Sequence, residues 1–256
     1  MTVGTNVRAL ALSVAALLMC VGGGCRSAAP APPLATAPAT RRVCATTAPA
    51  IALRATPAAE EISVEQLALL LPRRPIVVGF DVDDTLIFSA PAFNALQPQY
   101  DADVIRPKDY QKLTPAQRAK YHEFWDRLND DFDDRSTPKR IGRRLLELHR
   151  DRGDTIYVIS KRQSSTTGVD NCTPRYERML GVKLAHPVVQ TQLRDKTPFI
   201  CERGIEYYYG DADGDITASV AAGAVPIRVK RAADSYGKDP VHNGLLGEIV
   251  LKDSER

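Results

Sequence analysis

The stretch Val77-Val78-Gly79-Phe80-Asp81-Val82-Asp83-Asp84-Thr85 constrains this chain more than any other. It is a short apolar run ending in a cluster of carboxylates, and it reads as a buried strand. Unpaired charge is costly to bury, so the cluster calls for a metal ion or a phosphoryl group beside it. On an extended chain Asp81 and Asp83, two residues apart, point the same way. At the carboxyl end of a parallel strand they face the crevice where open α/β sheets bind ligands.

Downstream, strands alternate with helices. Strands are expected at 155–160, near 187–190, at 205–209 running into Gly210-Asp211, and at 225–229. Helices are expected at 115–128, 138–151, 174–180, from about 195, and at 215–222, with 88–107 read as a loop. This alternation predicts an α/β fold: a Rossmann-like, mostly parallel sheet flanked by helices, with a small cap-like insertion at 88–137. In the helix after Pro138, Ile141, Leu145 and Leu148 form an apolar stripe, which leaves Arg140, Arg143, Arg144 and Arg150 on a solvated face.

Arg8 precedes an apolar run at 9–21, the length of a signal-peptide core, so the chain is expected to be exported. Two cleavage readings stay open. Gly22-Gly23-Gly24-Cys25 resembles a lipoprotein box, with a lipid anchor at Cys25, although Gly22 stands where a Leu is usual. The Ala-rich stretch 27–31 offers an ordinary cleavage site; the lipoprotein is preferred. Residues 26–58 are rich in Ala, Pro and Thr and read as a disordered tether, leaving a folded domain at 59–256. A net charge of +3 is too small to imply a nucleic-acid partner. Of five cysteines, Cys172 and Cys201 are candidates for a disulfide in an exported protein, with buried free thiols as the alternative.

The polar groups of interest each follow an apolar strand or open a helix: Asp81 and Asp83, Ser160, Lys196, then Asp211. A parallel sheet gathers such positions on one edge. Hydrolysis of a phosphate monoester needs a nucleophile, for which a carboxylate serves. It needs a proton carrier for the leaving oxygen. It also needs positive charge against the oxyanions, which Mg²⁺ and Lys supply. These five residues provide all of those groups.

The Asp81-Val82-Asp83-Asp84-Thr85 segment resembles the first motif of the haloacid dehalogenase superfamily, Ser160 fits its second, Lys196 its third, and Gly210-Asp211-Ala212-Asp213-Gly214-Asp215 its fourth. The segments 80–91 and 209–216 are similar to the signatures of bacterial class B acid phosphatases; Phe124-Trp125, Thr137-Pro138-Lys139 and Arg152-Gly153-Asp154 also fall where that family has related residues. The resemblance covers 64–256 and implies a Mg²⁺-dependent acid phosphatase working through an aspartyl phosphate. Asp81 is then nucleophile and metal ligand, and Asp83 general acid/base with its carbonyl on the metal. Asp211 is a third ligand, and Asp215 holds a metal-bound water. Ser160, the Lys161 backbone, Arg162 and Lys196 bind phosphate. Phe93, Trp125, Phe132 and Tyr236 are candidates for an apolar substrate pocket, with core packing as the alternative. Nucleoside monophosphates and aryl phosphates are the implied substrates, phosphotransfer an implied side activity, and a periplasmic homotetramer the implied state. Ser160-Lys161-Arg162 departs from the family's Thr-Gly-Arg. The side chain of Lys161 is expected to face solvent.

Three rivals fare worse. A receiver module places its lysine last, whereas Asp211 follows Lys196. A calcium loop starting at Asp211 has Gly214 and Ala222 at the wrong positions. An inactive exported binding or structural lipoprotein does not explain why every catalytic position is filled. No histidine is paired with a nucleophile in sequence, which disfavours histidine-dependent phosphatase chemistry.

Overall fold

The computed structural model describes residues 61–192 and 195–256; the expected signal at 1–25 and tether at 26–58 lie outside them. Strand β1 (Val77–Phe80) is central in a six-stranded parallel sheet. Its neighbours are β4 (Thr155–Ser160) and β6 (Tyr207–Gly210). The sheet continues outward to β5 (Val189–Gln190) on one side, and to β7 (Val225–Arg228) and β8 (Ile249–Val250) on the other. Successive side chains leave a strand on opposite faces. Val78, Phe80, Tyr207 and Tyr209 therefore pack with α1 (Val64–Leu70), α5 (Arg140–Asp151) and α6 (Cys172–Leu180). Ile159 and Tyr208 pack on the other face with α7 (Thr197–Glu202) and α8 (Asp213–Ala221).

The insertion leaves the sheet at β2 (Ile87–Phe88) and returns at β3 (Thr137–Pro138), which pair antiparallel. Between them lie α2 (Ala90–Leu96), α3 (Ala102–Ile105) and α4 (Pro115–Arg127) around a separate core of Phe93, Leu96, Ile105, Phe124 and Leu128. Thr114 and Gln117 form a capping box that starts α4. The stretch read as a loop is thus largely helical. Pro91 sits in the first turn of α2, where the missing N–H costs nothing. The helix expected from Pro138 begins at Arg140, because Thr137 and Pro138 are engaged with β2. Strand β8 and helix α1 are too short to stand out in the sequence.

Cys172 is a free, buried thiol that burial pushes up to about 11, so no Cys172–Cys201 bridge forms; Cys201 is disulfide-bonded. Among the described residues no helix is long and apolar enough to cross a membrane.

Helix α5 lies directly against the turn after β1. A Cβ on Gly142 would come within 2.8 Å of both the Leu86 Cα and its carbonyl oxygen. Backbone cannot swing aside as a flexible side chain can. Gly142→Ala is therefore expected to lose stability: overpacking costs about 1–3 kcal/mol, against about 1 kcal/mol gained in helix propensity. A urea midpoint equal to that of wild type would contradict this packing.

Candidate active site

The carboxyl ends of β1, β4 and β6 converge. Oxygens of Asp81, Asp211 and Asp215 lie within 4.8 Å of one another, all three residues buried. Asp81 follows β1 and Asp211 follows β6, while Asp215 sits in the first turn of α8. That turn folds tightly onto the strand end because residue 210 is glycine; a Cβ there would lie 2.3 Å from the Asp215 Cβ. Lys196, at the N-cap of α7 and fully buried, pairs with Asp81 and stands 3.0 Å from Asp215 Oδ1.

Burial pushes the Asp81 carboxyl well above the usual range; Lys196 opposes this, and Asp215, Asp211 and Asp83 add to it. Asp211 is likewise raised by burial, to about 6, against the pull of Arg231, whose Nε donates to Asp211 Oδ2 at 2.6 Å. For Asp215 burial also acts upward, but Lys196 and then Lys161 outweigh it and hold the carboxyl low. Burial works against the charge on Lys196 too, and Asp215 and Asp81 more than compensate. The set is three crowded carboxylates with one buried ammonium inside it. An all-oxygen donor set of three buried carboxylates, whose negative charge exceeds that of the one ammonium inside it, fits a hard cation, so the triad can hold a metal ion.

Asp83 stays out of the triad. Its side chain, 29% exposed, faces the crevice and takes a two-pronged contact from Arg162: Nε to Oδ2 at 3.0 Å and Nη2 to Oδ1 at 2.7 Å. Burial acts upward on Asp83, but Arg162 prevails and holds it below the ordinary carboxylate value. Ser160, at the end of β4, is buried with its Oγ accepting from the Arg162 N–H at 3.1 Å. Lys161 is exposed, as expected, and makes no ion pair among the described residues. Its ammonium nevertheless hangs over α8, 3.0 Å from where a Gly214 Cβ would sit.

The pocket aromatics gather on the insertion side. Tyr236 stacks on Phe93 with centroids 4.1 Å apart, Trp125 meets Phe93 edge-on at 6.1 Å, and Phe132 packs against the same cluster. Arg106 clasps Tyr236, its Nε donating to the hydroxyl at 2.7 Å and its guanidinium lying over the ring.

Other site residues were given no task by the sequence. Asp84, without a chemical task in the sequence, has φ 59° and turns the chain: its N–H reaches Ile87 O, and Ser235 donates to its carboxylate. Aspartate tolerates that left-handed backbone better than most residues. Lys139, buried and lowered by burial to about 8, bonds the carbonyls of Asp84 and Lys230 and ties together two loops of the site. Arg231, Asn129 and Asp133 look like surface residues in the sequence. The histidines pair elsewhere; His149 bridges Asp154 and Tyr209 at 2.7 Å each.

No protein-family model matches the chain. A class B acid phosphatase of Marinomonas sp. is 40% identical over 190 residues, which are 72% of this chain and 74% of that protein. The chain belongs to the class B acid phosphatases. A second class B acid phosphatase, from Klebsiella pneumoniae, is 35% identical over 199 residues, 76% of this chain and 79% of that protein. A solved HAD family hydrolase from Deinococcus radiodurans is 16% identical with a TM-score of 0.44, covering 72% of this chain and 93% of that one. As a class B acid phosphatase the protein is a phosphomonoesterase, and its acidic triad at the strand ends lies where an open parallel sheet receives its ligand.

Proposed function

We propose that this phosphatase cleaves phosphate monoesters in two steps on Asp81. The observation that carries the reading is the gathering of Asp81, Asp211 and Asp215 around Lys196 at the strand ends, with Asp83 beside them facing the crevice. In the first step an Asp81 oxygen bonds to phosphorus and the ester P–O bond breaks, while Asp83 gives a proton to the leaving oxygen. The negative charge of the bound phosphoryl group opposes the pull of Arg162 and lets Asp83 take up that proton from solvent beforehand. In the second, water attacks phosphorus, Asp83 takes up the water's proton, and the Asp81–phosphorus bond breaks to release phosphate. An alcohol in place of water makes the same enzyme a phosphotransferase.

Asp81, the Asp83 carbonyl, Asp211 and Asp215 would hold Mg²⁺, the last through a water. When bound, the ion offsets charge on the carboxylates and the phosphoryl oxygens. Lys196 holds Asp81 in place and supplies positive charge, and Ser160 with the Lys161 N–H holds phosphoryl oxygens. Arg162 adds a contact to the phosphate, as the resemblance implies, while its guanidinium also engages Asp83 and Asp133. The rings of Phe93, Trp125 and Tyr236 suit a flat apolar leaving group, which favours nucleoside monophosphates and aryl phosphates.

The proposal extends to the rest of the chain: an export signal at 1–25, a tether at 26–58 with a lipid anchor at Cys25, and a phosphatase domain at 59–256 working in the periplasm as a homotetramer. The disulfide at Cys201 supports an oxidising compartment.

A panel of nucleoside monophosphates, aryl phosphates and phosphodiesters on chelator-treated protein tests the reading. Turnover of the monoesters is expected to vanish with chelator and return with Mg²⁺. Monoester turnover that is indifferent to chelator would sink it.

A further inference from the structure

The insertion reaches into the crevice through one buried guanidinium. The Arg162 side chain is 1% exposed, and the side of its fork that does not hold Asp83 meets Asp133. Nη2 donates to Asp133 Oδ1 at 3.0 Å, and Nη1 stands 2.9 Å from Oδ2. Asn129 Oδ1 accepts a long bond from Nη1 at 3.4 Å. Asp133 is in turn fixed by the Ser136 hydroxyl, which donates to Oδ1 at 2.8 Å. Asn129 lies within a five-residue π turn, Leu128–Phe132, that ends at Asp133. Such turns concentrate at functional sites, because they aim side chains that a regular helix would rotate away.

A guanidinium gripped along one edge alone still swings about its stem. A second carboxylate on its other edge removes that freedom, as paired, charge-assisted bonds fix geometry as well as energy. We propose that Asp133 is a positioning residue for phosphoryl transfer: it locks Arg162, and through Arg162 it aims the Asp83 carboxyl at the leaving oxygen. Asp133 touches no substrate. The inference rests on the reading of Asp83 as proton donor. It makes the insertion part of the proton-transfer apparatus as well as a wall of the pocket.

The test compares 4-nitrophenyl phosphate, whose leaving group needs little help, with a primary alkyl phosphate, whose leaving group must be protonated. Misplacement of a reacting group by about 1 Å costs on the order of 100-fold. Asp133→Ala is expected to lower kcat on the alkyl ester about 10- to 100-fold further than on the nitrophenyl ester, with KM changed by less than about twofold. Asp133→Asn keeps the size and one acceptor, so it should show the same selectivity at only about threefold; it also carries the comparison if the alanine variant does not fold. Asp83→Asn, run alongside, should be selective in the same direction. Equal losses on both esters in the Asp133 variants, with Asp83→Asn still selective, overturn the inference and leave the acid assignment standing. An Asp83→Asn enzyme without selectivity overturns both.

Discussion

Asp81→Asn is expected to abolish phosphate release, by about 10⁴-fold or more in kcat, because removal of a nucleophile leaves only binding and charge stabilisation. The same change should leave the fold intact. Asp81 is buried, and its carboxyl is pushed well up by that burial, so its charge in the metal-free protein is held at a cost. An amide of the same shape removes the charge and its repulsion with Asp211 and Asp215, while Lys196 keeps Asp215 3.0 Å away. The pH dependence has a definite sign. A carboxyl raised in the folded state adds stability below its ordinary value and loses it as pH rises through the folded value. Asp211, raised from 3.8 to about 6, shows the window: metal-free wild type should lose stability from about pH 4 to above 6. In Asp81→Asn the loss should be shallower. Thermal unfolding in chelator between pH 4 and 8 checks both points. A variant that melts well below wild type at pH 7.5, or that retains normal turnover, would refute this account of Asp81.

The parallel sheet was legible because its strands are short apolar runs that end in chemistry: Phe80 before Asp81, Ile159 before Ser160, Tyr209 before Gly210 and Asp211. Burial on both faces leaves a strand no choice but to be apolar, and the crevice leaves its end no choice but to be polar. The insertion was less legible. Its helices bury only one cluster, and Pro91 in the first turn of α2 reads equally well as part of a loop. Asp133 was hidden for a different reason. It stands among Asp130, Asp131 and Asp134 in a run that looks like a solvated face, and the π turn that holds Asp130 and Asp131 ends just before it. Asp131 and Asp134 are exposed while Asp133 is fully buried, a distinction made by a partner 29 residues away. The partners of Arg162 were hidden in the same manner: the fold binds it to two carboxylates that no local pattern couples to it.

Lys196→Met should show how far the site depends on one buried charge. Lys196 is fully buried, pairs with Asp81 and Asp215, and lies 5.4 Å from the Tyr208 ring centre. Methionine fills much of the same volume but leaves two buried carboxylates without their cation. Breaking a buried pair by removing one partner costs about 3–5 kcal/mol, a large part of a typical domain's total stability. The loss should depend on conditions in a way that an ordinary cavity does not. Asp215 is held low chiefly by Lys196, so its carboxyl moves upward in the variant. A raised carboxyl stabilises only below its folded value, so the variant should be closer to wild type at pH 5 than at pH 7.5. Mg²⁺ brings charge to the same carboxylates and should recover part of the deficit at pH 7.5, as any ligand of the folded state does. Urea unfolding at both pH values, with Mg²⁺ and with chelator, separates these effects. A deficit that is the same in all four conditions would mean that Lys196 only fills space. A deficit that shrinks with acid and with Mg²⁺ would mark it as the charge that lets three aspartates share one small volume.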